Sequence, residues 1–81
     1  MYTVEELDHF ASLLGQVWSK NLITDNVRSR MRVPDEDNYL AYLTGSGVGY
    51  VTAPTMQEAM NKHWETFVAK RGETDVNSKR T

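Results

Sequence analysis

The chain has 81 residues, no cysteine, and nine Lys or Arg against eleven Asp or Glu, giving a net charge of −2. That length allows one small domain, which buries roughly 60–65% of its unfolded surface. The missing cysteines exclude a disulfide framework, so helix-on-sheet packing or a second subunit must supply stability. The near-neutral balance excludes a histone-like binder and a nucleic-acid mimic, leaving only a local basic stripe.

The N-terminus, Met1 to Glu6, has neither a basic leader nor a long apolar run. The expectation is a cytoplasmic chain without a membrane span. Thr3 and Glu6 have capping-box spacing. From there Val4, Leu7, Phe10, Ala11, Leu14, Val17, Trp18 and Leu22 recur at three- and four-residue intervals, which predicts one helix of about five turns. Gly15 lies at the edge of that stripe, where close approach of another element would explain it. Asn21, Asp25 and Asn26 suit the helix end and a turn.

Val27 to Val33 reads as the first strand, stopped by Pro34, with Arg28, Arg30 and Arg32 at alternate positions. Successive side chains of a strand point to opposite faces, so this spacing predicts three guanidinium groups on one face. Asp35 to Asn38 makes a polar turn, and its acids lack the pattern of a calcium loop. Tyr39 to Thr44 reads as a central strand, Gly45-Ser46 as a two-residue hairpin loop, and Val48 to Ala53 as a third strand closed by Pro54.

Thr55 and Glu58 repeat the capping-box spacing. Met56, Ala59, Met60, His63, Trp64 and Phe67 then form the stripe of the next helix, with Gly72 as its end. Residues 73–81 read as a flexible tail after a single domain over 1–72. The predicted fold class is therefore α+β: a helix, a three-stranded antiparallel meander and a helix, with both helices on one sheet face. The covered face would hold Met31, Leu40, Tyr42 and Val51. The open face would hold Arg28, Arg30, Arg32, Tyr39, Leu43, Val48 and Tyr50. Leu14 and Phe67 are expected at the centre of the core.

Few residues carry chemistry. Gly45 to Gly49 joins two strands and lacks the lysine of a phosphate loop. His9 and His63 have no second ligand at metal spacing, and His63 reads as a structural histidine beside the apolar stripe. No serine lies in a nucleophile elbow. The expectation is a non-enzymatic chain without cofactor or metal.

The helix, three strands, helix order resembles the double-stranded RNA-binding domain. That resemblance implies lysines at the start of the second helix; here the segment is Thr55-Met56-Gln57-Glu58-Ala59, which is acidic. Gly49 to Ala59 also resembles the strand-to-helix junction of HicB-type antitoxins.

Arginine and tyrosine are enriched at interface hot spots, so Arg28, Arg30, Arg32, Tyr39, Leu43 and Tyr50 are the expected partner-binding residues. The expected function is a small binding module acting through protein–protein contact, an inhibitor or accessory regulator of the phage-encoded host-modulator type. A nucleic-acid-binding regulator using the arginine face is the alternative, and a homodimer would suit so small a core.

Overall fold

The computed structural model describes the backbone of residues 1–80 and the side chains of residues 1–71. Its elements are α1 (Val4–Leu13), β1 (Trp18–Leu22), α2 (Asp25–Met31), β2 (Tyr39–Leu43), β3 (Val51–Ala53) and α3 (Met56–Arg80). The class is α+β, with a three-stranded antiparallel sheet in the order β1-β2-β3 between a leading and a closing helix. The expected helix end at Gly72 and the expected tail over 73–81 lie outside the residues described in full.

Three segments differ from the sequence expectation. The first helix is short because Gly15 ends it. Thr3 caps its start, with the Thr3 Oγ1 and Glu6 carboxylate bonds of a full capping box. At the other end Gly15 has φ +68°, its N–H donates to the Ser12 carbonyl, and the Gln16 N–H donates to the Ala11 carbonyl. That pair of bonds is a Schellman motif, which satisfies the last carbonyls and turns the chain away. Residues beyond it are free to extend, and Trp18 to Leu22 becomes the first strand.

The segment expected as that strand is α2. Thr24 is its N-cap and accepts a bond from the Val27 N–H. Asp25 lies in the first turn, Arg28 and Arg30 in the last, each favourable to the helix dipole. Ile23, Val27 and Met31 recur every four residues, a helical period rather than a strand's.

Register decides which face is covered. Trp18 pairs with Leu43 and Lys20 with Ala41 across β1–β2, while Ala41 pairs with Val51 and Tyr39 with Ala53 across β2–β3. Directly opposed residues share a face. Trp18, Ala41, Leu43 and Ala53 therefore lie together, and all four belong to one buried cluster with Leu7 and Ala11 of α1 and Ala59, Met60 and Phe67 of α3. Both helices lie on that face, as expected. The expected face assignment within β2 is reversed: Leu43 and Tyr39 point to the helices, Leu40 and Tyr42 away. Apolar residues fill both faces of this strand, so its pattern gave no direction. Small side chains set it instead, since Ala41, Ala53 and Ala59 are fully buried and let α3 lie close to the sheet.

The hairpin between β2 and β3 is longer than two residues. It spans 44–50, with Gly45 and Gly47 both at φ +77°, and the third strand is correspondingly only Val51–Ala53.

Candidate functional site

The arginine row does not exist as a face. On a helix, positions 28 and 30 point to nearly opposite sides, and Arg32 is the C-cap in the left-handed region at φ 57°. Arg28 is also committed. Its Nη1 donates to Asp25 Oδ1 at 3.0 Å, and its Nη2 to Asn38 Oδ1 at 2.6 Å and to the Asp37 carbonyl at 3.3 Å. The guanidinium thus ties α2 to the turn before β2. Arg30 and Arg32 are exposed. The strand face on which a nucleic-acid reading rested is absent.

The remaining expected contact residues also separate. Leu43 is 1% exposed and belongs to the core, and Tyr39 is half-buried on the covered face. Tyr50 is 56% exposed in the hairpin just before β3. Leu14, expected at the centre of the core, is 42% exposed because it is the C-cap where α1 stops. Phe67 is buried as expected.

What the chain does bring together is an apolar groove between α1 and α3. Asn61 fixes the upper end of this helix pair: it accepts from the Tyr2 N–H at 2.9 Å and donates to the Tyr2 carbonyl at 2.8 Å. Rings continue downward, with Tyr2 edge-on to Phe10 at 5.0 Å, Phe10 to Trp64 at 5.6 Å and Trp64 to Phe67 at 5.6 Å. Below them α1 ends at its Schellman turn while α3 continues, so the side of α3 is left uncovered. A hollow of about 470 Å³ opens there, lined by Phe10, Leu13, Leu14, Trp64, Phe67, Val68 and Arg71. Leu13 is 70% exposed and Val68 49%. Arg71 lies over the Phe67 ring, 5.4 Å from its centroid, as the one charged group of the lining.

Neither Leu13 nor Val68 belongs to the inward stripe of its helix. An apolar residue outside the stripe is the signal the sequence holds for this surface.

His63 is fully buried and holds the sheet rather than a ligand. Its Nε2 accepts the Leu43 N–H at 3.3 Å, at the point where β3 no longer pairs with β2. The ring stands edge-on to Trp18 at 5.5 Å. An imidazole accepting through Nε2 carries its single proton on Nδ1. Burial pushes the pKa of this group below its ordinary value, with the Val48 backbone pulling the other way.

Among the described residues, no three His, Cys, Asp or Glu side chains gather into a metal site, and no helix is long and apolar enough to cross a membrane. No family model matches the chain, and neither a curated protein nor a solved structure matches it.

Proposed function

We propose that this chain is a small non-enzymatic binding module that acts through protein–protein contact at the α1–α3 groove, as an inhibitor or accessory regulator. The observation that supports the reading is the exposure of Leu13, Leu14 and Val68 around the Phe10, Trp64 and Phe67 rings. Solvent does not favour so contiguous an apolar surface, whereas an interface with an apolar centre and an arginine rim does. The contact surface moves accordingly from the expected sheet face to the helices.

The experiment is capture from nuclease-treated cell lysate by the immobilised chain, compared with a Leu13→Glu/Val68→Glu variant. Both positions are exposed, so the variant keeps the parent's circular dichroism and melting temperature. A protein retained by the parent and lost from the variant is the expected result. Equal retention by a folded variant rejects the groove as the contact surface.

A further inference from the structure

We infer that His63 is a proton-operated latch on the hairpin of residues 44–50. With the ring neutral the hairpin stays open. With the ring protonated the Leu43 N–H goes to the Gly49 carbonyl, and β3 lengthens by one rung. The latch lies on the sheet, apart from the α1–α3 groove, and does not depend on it.

Backbone polarity identifies the partner that His63 displaces. The Ile23 N–H donates to the Asn38 carbonyl and the Thr44 N–H to the Val17 carbonyl, so β2 bonds to β1 through its even-numbered positions. N–H groups alternate along a strand, and that of Leu43 therefore points toward β3. Tyr39 pairs with Ala53 and Ala41 with Val51, and the same register puts Gly49 opposite Leu43. The ladder stops one rung short of that pair, and His63 Nε2 holds the Leu43 N–H at 3.3 Å instead.

The missing rung has room to form. A hollow of about 330 Å³ is lined by Tyr42 and Leu43 from one limb and by Val48, Gly49 and Tyr50 from the other. Gly49 carries no side chain, and the place where one would stand is open space. Closing the rung sets Thr44 opposite Val48 and leaves Gly45-Ser46-Gly47 as the connection. Three residues are a common hairpin length, and both glycines already have φ +77°.

Protonation makes the exchange. An imidazolium donates at both nitrogens, so it turns an N–H against the Leu43 N–H. That buried N–H needs another acceptor, and the register supplies the Gly49 carbonyl. The ring is fully buried against Trp18 and Leu43, where a charge is costly, so it gives way as Gly49 closes.

Among the described residues no carboxylate bonds the ring. Asp8 of α1 and Lys20 of β1 hold each other at 3.1 Å, and Glu5, Glu6 and His9 of α1 are exposed. On α3, Lys62 and Glu65 are exposed, Lys70 reaches the Gly47 carbonyl and Arg71 lies over Phe67. Glu58 stands five residues before His63, on another side of the helix. Tyr39 is about 13 Å along β2 from Leu43. Burial lowers the pKa of His63, so the latch opens below pH 6.5.

NMR of the isotope-labelled full chain from about pH 8 to about pH 4.5 tests this. As the His63 ring protons shift, an amide contact between Leu43 and Gly49 is expected to appear, with slower exchange at the Gly49 N–H. His63→Gln takes up no proton there and should show neither change, with circular dichroism as the check on its fold. If that variant does not fold, the parent alone decides, because the hairpin change and the ring titration must share one midpoint. Different midpoints overturn the inference. So does a hairpin that stays open while the ring titrates, global unfolding before the Leu43–Gly49 contact appears, or the same change in folded His63→Gln.

Discussion

The two ends of this molecule are held by different physics. The connection from β1 to β2 buries one apolar side chain, Ile23, and otherwise depends on directed polar bonds: α2 buries none of its own residues, and Arg28 ties it through Asp25, Asp37 and Asn38. The α1–α3 pair depends on contact between rings, from Tyr2 through Phe10 and Trp64 to Phe67, with Leu7, Met60 and four alanines beneath. Losing a ring leaves a cavity that its neighbours fill only partly, while losing the partly buried Arg28 guanidinium frees acceptors that lie largely at the surface. The lesson is that Arg28 is a local clamp, and that the uncovered apolar side of the helix pair is the contact surface we propose.

The largest effect should follow from cutting the ring stack. Phe67→Ala removes a buried ring and is expected to cost about 3–5 kcal/mol, enough to unfold much of a domain whose whole stability is only ~5 kcal/mol. Leu14→Ala, on the same helix pair but 42% exposed, should cost under about 1 kcal/mol. Chemical denaturation of both variants checks the contrast. Similar losses at the two positions would mean that the groove is closed over Leu14.

Acid should loosen the helix–sheet contact next. Folded His63 resists protonation, because a charged ring would be buried and would turn an Nε2–H against the Leu43 N–H. Below its ordinary pKa of 6.5 the unfolded chain takes up a proton that the folded chain refuses. The stability contributed by neutral His63 is therefore full above that pH and falls as pH drops below it. Urea midpoints measured across this range should decline in the parent, and decline less in His63→Gln. Parallel curves would remove His63 from the account.

The smallest of the three effects belongs to the clamp. Arg28→Ala should cost about 1–2 kcal/mol and act locally, speeding amide exchange across residues 24–38 while α1 and α3 stay protected. Arg28→Lys should rescue little, since an ammonium cannot span three acceptors as a planar fork does. Uniformly faster exchange throughout the chain would show that α2 is part of the cooperative core.

Much of the architecture was legible from the sequence, and the errors have identifiable causes. Capping residues, the α3 stripe, the meander and the burial of Phe67 and Met60 all followed from periodicity. The first strand was misplaced because Val17, Trp18 and Leu22 continue the helical period of α1 by coincidence, and only the backbone of Gly15 breaks it. The α2 segment was misread because alternate arginines outweighed the four-residue recurrence of Ile23, Val27 and Met31. Thr24, the true cap, was hidden inside an apparent turn. The groove was illegible for a different reason: it arises where one helix stops and its neighbour continues, and that offset is a property of their packing rather than of either segment.

His63 has one more consequence, for the hairpin it stands behind. By taking the Leu43 N–H it does for β2 what two further residues of β3 would otherwise do, so between Thr44 and Tyr50 the core is met by Val48, which packs against it. Beyond that point Lys70 holds the loop, by one bond to the Gly47 carbonyl. Loop-closure entropy grows slowly, at about 0.6 kcal/mol per doubling of length. The tip of this hairpin, from Gly45 to Gly47, is therefore the place where the chain can lengthen, take on an insertion or carry a label while Val48 and the helix–sheet core keep their places.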